Sequence, residues 1–177
     1  MYKRQAEVLP GYDGCAAGAA DVPWLSESPD SADLAPGASV TVTVTLDSST
    51  LTQPGTYTAK LTVTTDTPYP ATVVPVTFTV QPPKTWGKIF GVVSGKSCSG
   101  TTAPIAGATV QIDTWAASYT LTTDKDGAYA LFLDRRNNPL TVIAAKDGWA
   151  PQTRTAKVTP GTPLRSDFVL KPAKACS

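Results

Sequence analysis

Few residue types in this chain could carry out chemistry, and the missing ones exclude most catalytic mechanisms. The 177 residues include no histidine. Ser-His-Asp and Cys-His catalysis are therefore excluded within the chain, as are metal sites with imidazole ligands. The only glutamates are Glu7 and Glu27. Because no nucleophile can be paired with a general base from these residues, we predict that the chain is not an enzyme and has no catalytic residues.

The three cysteines, Cys15, Cys98 and Cys176, lie far apart in the sequence. Zinc sites generally use closely spaced pairs such as Cys-x-x-Cys, so a zinc site is not expected. A secreted chain would use two of the three in a disulfide and leave one over. The spacing alone leaves the pairing open.

The segment Asp124-Lys125-Asp126-Gly127 has the composition of the start of a calcium loop. A complete loop needs more oxygen ligands and a bidentate glutamate further on, and both glutamates are distant in sequence. We therefore expect a plain turn, with glycine at the position that requires a positive φ. No metal and no cofactor are predicted.

Tryptophan is the residue type here that could bind a sugar, by stacking its ring on the pyranose face. We expect Trp24, in VPWLS, and Trp149, in DGW, to fill a core or seal a sheet edge. Trp86 is expected to pack at a domain boundary. A structural role is the commoner one for a tryptophan. Trp115 lies where one predicted strand passes to the next, and it is the best candidate for an exposed ligand platform.

Charge and hydropathy argue against two classes of partner. The net charge is +1, with 16% of residues charged, so there is no electrostatic case for binding nucleic acid or an anionic membrane. No apolar run is long enough to span a bilayer. Threonine and valine are abundant, as in β-rich extracellular proteins, and we expect the protein to be secreted.

Strict alternation of apolar and polar residues predicts antiparallel strands in the first half of the chain. In residues 39–46 the predicted inward positions are Val40, Val42, Val44 and Leu46. Two further strands are predicted at 55–65 and 71–80, with Pro75 at an edge position or bulge. We interpret this region as a small β-sandwich.

The second half contains seven predicted strands and no helix. Turn signals such as Asp147-Gly148 and Pro160-Gly161 separate them. Their even spacing is typical of a sandwich. The predicted strands are residues 88–93, 108–113, 118–123, 128–133, 140–145, 153–158 and 166–170.

The fold class is therefore all-β, with two small antiparallel sandwich domains joined by a Pro-rich linker. The first five residues, MYKRQ, resemble the translation of a transposase sequencing adapter, and we expect the coding region to continue upstream. The predicted divisions are a linker at 1–20, an Ig-like domain at 21–80, the linker at 81–84, the seven-stranded domain at 85–172 and a tail at 173–177.

Two stretches of motifs resemble known families. The second domain is similar to a carboxypeptidase regulatory-like domain of the transthyretin (prealbumin) type, on the segments GKIFGVVSG, PIAGATVQI, TLTTDKDGAYALFL, LTVIAAKDGW and SDFVLKP. The first resembles bacterial Ig-like modules of the BACON kind, on the segments VPWLSESP, APGASVTVTVTLD, QPGTYTAKLTV and VPVTFTV. Such pairs resemble the C-terminal accessory regions of secreted bacterial proteins, subtilisin-like proteases among them.

The resemblance carries three expectations. Transthyretin-type sheets bring the loop after the first strand near the end of the last one, which implies a Cys98–Cys176 disulfide worth about 4–5 kcal/mol. Cys15 would then be free or paired with the part upstream. The implied function is a non-catalytic spacer that stabilises or tethers a missing upstream domain of the same polypeptide.

Two alternatives remain open at this point. One is a module that binds a polysaccharide or a cell-surface protein, for which Trp115 is the candidate contact. The other is a subunit of an extracellular assembly that self-associates through edge strands.

Overall fold

The computed structural model describes residues 22–174, and within them the chain divides into two compact units on either side of the Gln81–Pro82 bond. We call residues 22–81 unit 1 and residues 82–174 unit 2. The predicted all-β fold is confirmed. The helical residues of the described part are two three-residue 3-10 turns, Ser48–Thr50 and Arg135–Asn137. No helix in this range is long and apolar enough to cross a membrane.

The strands of unit 1 are β1 (Leu25–Ser28), β2 (Thr43–Leu46), β3 (Gly55–Val63) and β4 (Thr72–Val80). They form two antiparallel two-stranded sheets, β1 with β2 and β3 with β4. Its core is built around Trp24, which is fully buried and whose ring centroid lies 6.1 Å from that of Tyr57 and 5.6 Å from that of Phe78. Ala59 and Leu61 alternate with exposed residues on β3, as a half-buried strand requires.

The predicted inward face of residues 39–46 is wrong. Val40, Val42, Val44 and Leu46 are between 36% and 43% exposed, and the strand begins only at Thr43. Alternation shows which side chains share a face, but burial also requires a second layer over that face. No described strand other than β1 pairs with β2, and a two-stranded ribbon leaves this valine face largely open.

Unit 2 contains all seven predicted strands, with ends shifted by a few residues, and three short strands that alternation did not reveal. Those three have only two or three residues each, which is too short for a periodic signal. The strands are β5 (Trp86–Lys96), β6 (Thr102–Pro104), β7 (Thr109–Asp113), β8 (Ser118–Thr122), β9 (Ala128–Asp134), β10 (Leu140–Ala145), β11 (Trp149–Ala150), β12 (Gln152–Ala156), β13 (Leu164–Arg165) and β14 (Phe168–Pro172).

Two sheets enclose the core of unit 2. One is antiparallel in the order β12-β10-β7-β8. The other is organised around β5, which pairs with β9 and β6 on one edge and with β13 and β14 on the other. The buried residues include Ile89, Val93, Val110, Ile112, Tyr129, Leu131, Leu140, Val142, Phe168 and Leu170.

Every fourth residue of β5 is a glycine on the inward side of the strand. At these positions neighbouring groups approach too closely for a side chain. A Cβ at Gly91 would lie 2.0 Å from the carbonyl oxygen of Ser166, and one at Gly95 would lie 2.3 Å from the ring of Trp149. A Cβ at Gly87 would lie 2.8 Å from the backbone carbonyl oxygen of Thr159. These glycines let the crossing chain and one indole ring lie directly on β5.

Tyr129 anchors the same crossing. Its side chain is buried and its hydroxyl donates a hydrogen bond of 2.5 Å to the carbonyl oxygen of Ser166. Burial raises the pKa of Tyr129 to about 12. The phenol is thus neutral in the folded protein well above the pH at which an unfolded tyrosine ionises.

We expect a pH dependence from Tyr129. Because its folded pKa lies above the unfolded value of about 10, its stabilising contribution is complete below pH 10 and is lost as the pH rises towards 12. The difference in unfolding free energy between the natural protein and Tyr129→Phe should shrink by about 2 kcal/mol between pH 9 and pH 11.5. Urea titrations at pH 9 and pH 11.5 would measure it, and a difference that stays constant with pH would contradict the assignment.

Candidate functional site

The most exposed tryptophan of the described chain lies in the tight connection between β7 and β8. Trp115 is 77% exposed, although a side chain of this size is usually well covered. We refer to its indole ring and the backbone that holds it, residues 114–117 and 134–136, as the Trp115 platform.

Thr114 fixes the shape of the loop that carries the ring. Its hydroxyl donates to the carbonyl oxygen of Ala117 at 2.8 Å and accepts from the backbone N–H groups of Ala116 and Ala117 at 3.1 and 2.9 Å. The backbone N–H of Thr114 also donates to the Ala117 carbonyl oxygen. A local hydroxyl of this kind replaces the backbone pairing of a regular turn.

The indole is held in place through its single polar atom. Nε1 of Trp115 donates a 2.8 Å hydrogen bond to the carbonyl oxygen of Arg136, in the turn after β9. That turn is itself tied down, because the Arg136 guanidinium pairs with the Asp134 carboxylate at 2.8 Å and Thr85 donates to the same carboxylate at 2.9 Å. The Trp115 side chain is therefore held in one orientation and does not rotate freely.

Two carboxylates close in sequence to these turns have lowered pKa values. The side chain and backbone N–H of Arg136 lower the pKa of Asp134. The hydroxyl of Ser118, followed by the amide of Gln111, lowers the pKa of Asp113, which precedes the loop. The exposed, fixed ring of Trp115 is a surface on which a sugar ring could stack.

The other tryptophans are buried or half-buried. Trp24 is fully buried in unit 1. Trp149 is half-buried and its ring lies against Gly95, and Trp86 is half-buried at the start of β5. No second exposed tryptophan in residues 22–174 accompanies Trp115, so the platform consists of one ring rather than a row.

The Asp124–Gly127 segment forms a capped turn. Oδ1 of Asp124 accepts hydrogen bonds from the backbone N–H groups of Asp126 and Ala128 at 2.9 and 2.8 Å, and Gly127 has φ +72°. The carboxylate therefore holds the turn. Among the described residues no group of three or more acidic, cysteine or histidine side chains could hold a metal.

Cys98 lies in the exposed turn that follows β5. Its predicted partner Cys176, like Cys15, lies outside the described residues, so the disulfide stays a prediction. The direction of β14 is compatible with it, because Leu170 pairs with Gly95 in a parallel register and the chain then continues towards the same end of the sheet.

Asp167 is a structurally important residue that the sequence did not reveal. The ladder between β5 and the last strands breaks at Ser166 and Asp167, and Oδ1 of Asp167 accepts the Val92 N–H at 2.9 Å in place of a backbone carbonyl. Arg165 orients this carboxylate with a 2.7 Å hydrogen bond. An aspartate beside a strand is common, and no local pattern distinguishes one that completes a distant ladder.

Comparison with known families finds a likeness for unit 2. Residues 89–171, from β5 to β14, match the family described as Carboxypeptidase regulatory-like domain. The match bears out the predicted likeness to a carboxypeptidase regulatory-like domain, and the transthyretin type stays a prediction. The likeness of unit 1 to BACON modules and the protease context stay predictions. No curated protein matches the chain.

Several solved structures are similar to parts of this chain at low identity. The plantain pollen allergen Pla l 1 is 15% identical, with a TM-score of 0.40 over 52% of this chain and 98% of its own. The minor pilin GBS52 of Streptococcus agalactiae is 12% identical, with a TM-score of 0.43 over 70% of this chain and 63% of its own. The Bacillus anthracis TIE protein is 12% identical, with a TM-score of 0.43 over 97% of this chain and 34% of its own.

Proposed function

We propose that this chain is a non-catalytic accessory part of a secreted multidomain bacterial protein, in which the two units space and tether another domain. The observation that carries the proposal is the relative direction of the first and last strands of unit 2. β14 runs parallel to β5, with Phe168 opposite Val93 and Leu170 opposite Gly95.

Parallel first and last strands separate the two ends of a domain. The chain enters unit 2 at Trp86, at the pole where β9 ends, and it leaves after Pro172 at the opposite pole. β5 has 11 residues, so at about 3.3 Å per residue the poles are roughly 35 Å apart. A unit built this way holds its neighbours apart along its own length, as a spacer must.

The host protein and partner belong to the same proposal. The regulatory-like match of unit 2, together with the BACON-like motifs of unit 1, favours a secreted bacterial host, of which a subtilisin-like protease is one candidate. The upstream domain of that polypeptide is then the main partner, and no activity is assigned to these residues themselves.

A long sequencing read across the locus, upstream of the codon for Ala6, tests the proposal. We expect the reading frame to continue into a further domain, catalytic in the protease case. If a signal peptide instead directly precedes Ala6, there is no upstream domain for these units to space and the proposal fails.

A second candidate function is binding of a polysaccharide or a cell-surface glycan. The specific observation in its favour is the Trp115 platform, where a ring that is 77% exposed is nevertheless fixed by a 2.8 Å hydrogen bond. An exposed and ordered aromatic ring loses little conformational entropy when a ligand stacks on it.

For a binding role we expect Trp115→Ala to reduce retention on insoluble polysaccharides about 10-fold, since one stacked ring is worth about 1–1.5 kcal/mol. Stability should change by less than about 0.5 kcal/mol, because the ring is exposed. Tyr69→Ala is the matched control, as Tyr69 is 78% exposed in unit 1. If the natural protein is not retained on any polysaccharide, or if both variants lose retention equally, the platform is not the binding site.

A further inference from the structure

We infer that unit 2 is built to carry tensile load, with β5 and the segment 164–170 acting as a shear clamp. We call residues 164–170, which include β13 and the first residues of β14, the closing segment. The inference deepens the proposed spacer function and rests on it in one respect, namely that load reaches the unit through its two ends.

The direction of the strands determines how a pull acts on the unit. A force on the chain before Trp86 pulls β5 towards the entry pole, while a force after Pro172 pulls β14 towards the exit pole. Because the two strands are parallel neighbours, the load slides one along the other. In that geometry the bonds between them are stretched together, whereas strands pulled apart from one shared end break their bonds one at a time.

The contacts along this line are continuous. The closing segment pairs with β5 at Ile89 and Phe90 and again at residues 93–95. Between these ladders the Ser166 N–H donates to the Phe90 carbonyl oxygen at 2.8 Å, and the Val92 N–H donates to Asp167 at 2.9 Å. The hydroxyl of Ser94 adds a 3.1 Å bond to the Phe168 carbonyl oxygen. The carboxylate of Asp167 thus closes what would otherwise be a gap in the clamp.

Both strands of the clamp are also anchored on their other sides. β5 pairs with β9 over residues 86–92 and with β6 over residues 94–96. β14 pairs with β11 at its end, and its Phe168 and Leu170 side chains are fully buried. Sliding β14 along β5 therefore requires two large side chains to leave the core at the same time as the ladder breaks.

Single-molecule pulling on the full chain tests the clamp by changing only the direction of load. One handle is attached at Lys84, which is exposed and precedes β5, so that unit 1 stays outside the loaded segment. The second handle is placed either after Ser177 or in the turn Arg135–Asn137. In the second arrangement the load opens the β5–β9 ladder from its end, where Trp86 pairs with Asp134.

We expect unit 2 to unfold at a force at least two-fold higher when pulled through its ends than when pulled from the turn. Release of the roughly 90 residues from Trp86 to Pro172 should add about 300 Å of contour length. Reducing buffer keeps any disulfide from shortening that release. Equal forces in the two arrangements would overturn the inference, because forced unfolding reports the barrier along the pulled direction.

A pair of aspartate variants separates the clamp from general stability. Asp167→Ala removes the acceptor of the Val92 N–H, while Asp124→Ala removes a carboxylate that accepts two backbone N–H groups in the turn before β9, on the edge of β5 opposite the closing segment. The urea concentration is adjusted so that both variants have lost the same equilibrium stability. Under those conditions only Asp167→Ala should lower the unfolding force for pulling through the ends. Equal lowering by both variants would contradict the role of Asp167.

The outcome is distinct from the test of the spacer function. A low force together with an upstream domain would remove the clamp and leave the spacer. A high force together with a signal peptide directly before Ala6 would leave the clamp in a protein whose function is not that of a spacer.

Discussion

Replacing Gly91 by alanine should destabilise unit 2 by about 3 kcal/mol or more, at the upper end of what overpacking a core normally causes. The new Cβ would lie 2.0 Å from the carbonyl oxygen and 2.6 Å from the carbonyl carbon of Ser166. These are backbone atoms, and the Ser166 N–H is bonded to Phe90 while its carbonyl accepts from Tyr129. The closing segment cannot move away without breaking both bonds. Urea unfolding of the full chain, followed in unit 2, measures the loss.

Gly148→Ala is the matched control for that substitution. Gly148 has φ +83° and no atom within 4 Å of the position its Cβ would take, so only the left-handed backbone is penalised, by about 1–2 kcal/mol. If the two variants lose the same stability, the close approach of Ser166 to β5 is not what constrains Gly91.

Trp24→Ala should unfold unit 1 and leave unit 2 folded. Truncating a fully buried tryptophan removes about 3–5 kcal/mol, and here it also removes the contacts with the rings of Tyr57 and Phe78. A unit of about 60 residues has only a few kcal/mol of stability in total. Differential scanning calorimetry of the full chain should lose the unit 1 transition and keep the one assigned to unit 2.

Trp24→Phe provides the check on this interpretation. The indole Nε1 of Trp24 is buried without a hydrogen-bond acceptor among the described residues. Replacing the indole with a phenyl ring therefore reduces side-chain volume but removes no hydrogen bond. We expect that variant to keep a weakened unit 1 transition. Loss of both transitions in Trp24→Ala would show that the two units do not fold independently.

Local patterns predicted what is local in this fold. Period-two alternation located the seven main strands of unit 2, because each such strand has one buried face and a hydrophobic residue recurs at every second position. The turn at Asp124–Gly127 followed from residue chemistry, since glycine accepts the positive φ that the turn needs. The family resemblance of unit 2 followed from the same motifs.

What the sequence did not disclose depends on residues that are distant along the chain. Val92 and Asp167 are 75 residues apart, and neither has a neighbour that marks the pairing. Trp115 could be predicted to be exposed from its place between strands, but not to be fixed by Arg136, because that bond depends on how two turns meet. The open valine face of β2 was missed for a related reason, since a repeat of apolar residues carries no information about whether another layer covers it.

The parallel direction of β5 and β14 also has a consequence for how such proteins change length. A domain whose chain enters at one pole and leaves at the other lets the polypeptide continue in the same direction. Duplication or loss of one copy of the domain in a gene therefore lengthens or shortens the encoded protein by about 35 Å, one sheet length. The direction of the chain from one flanking domain to the next stays the same. A domain with both ends at the same pole would turn the chain back on itself at every insertion.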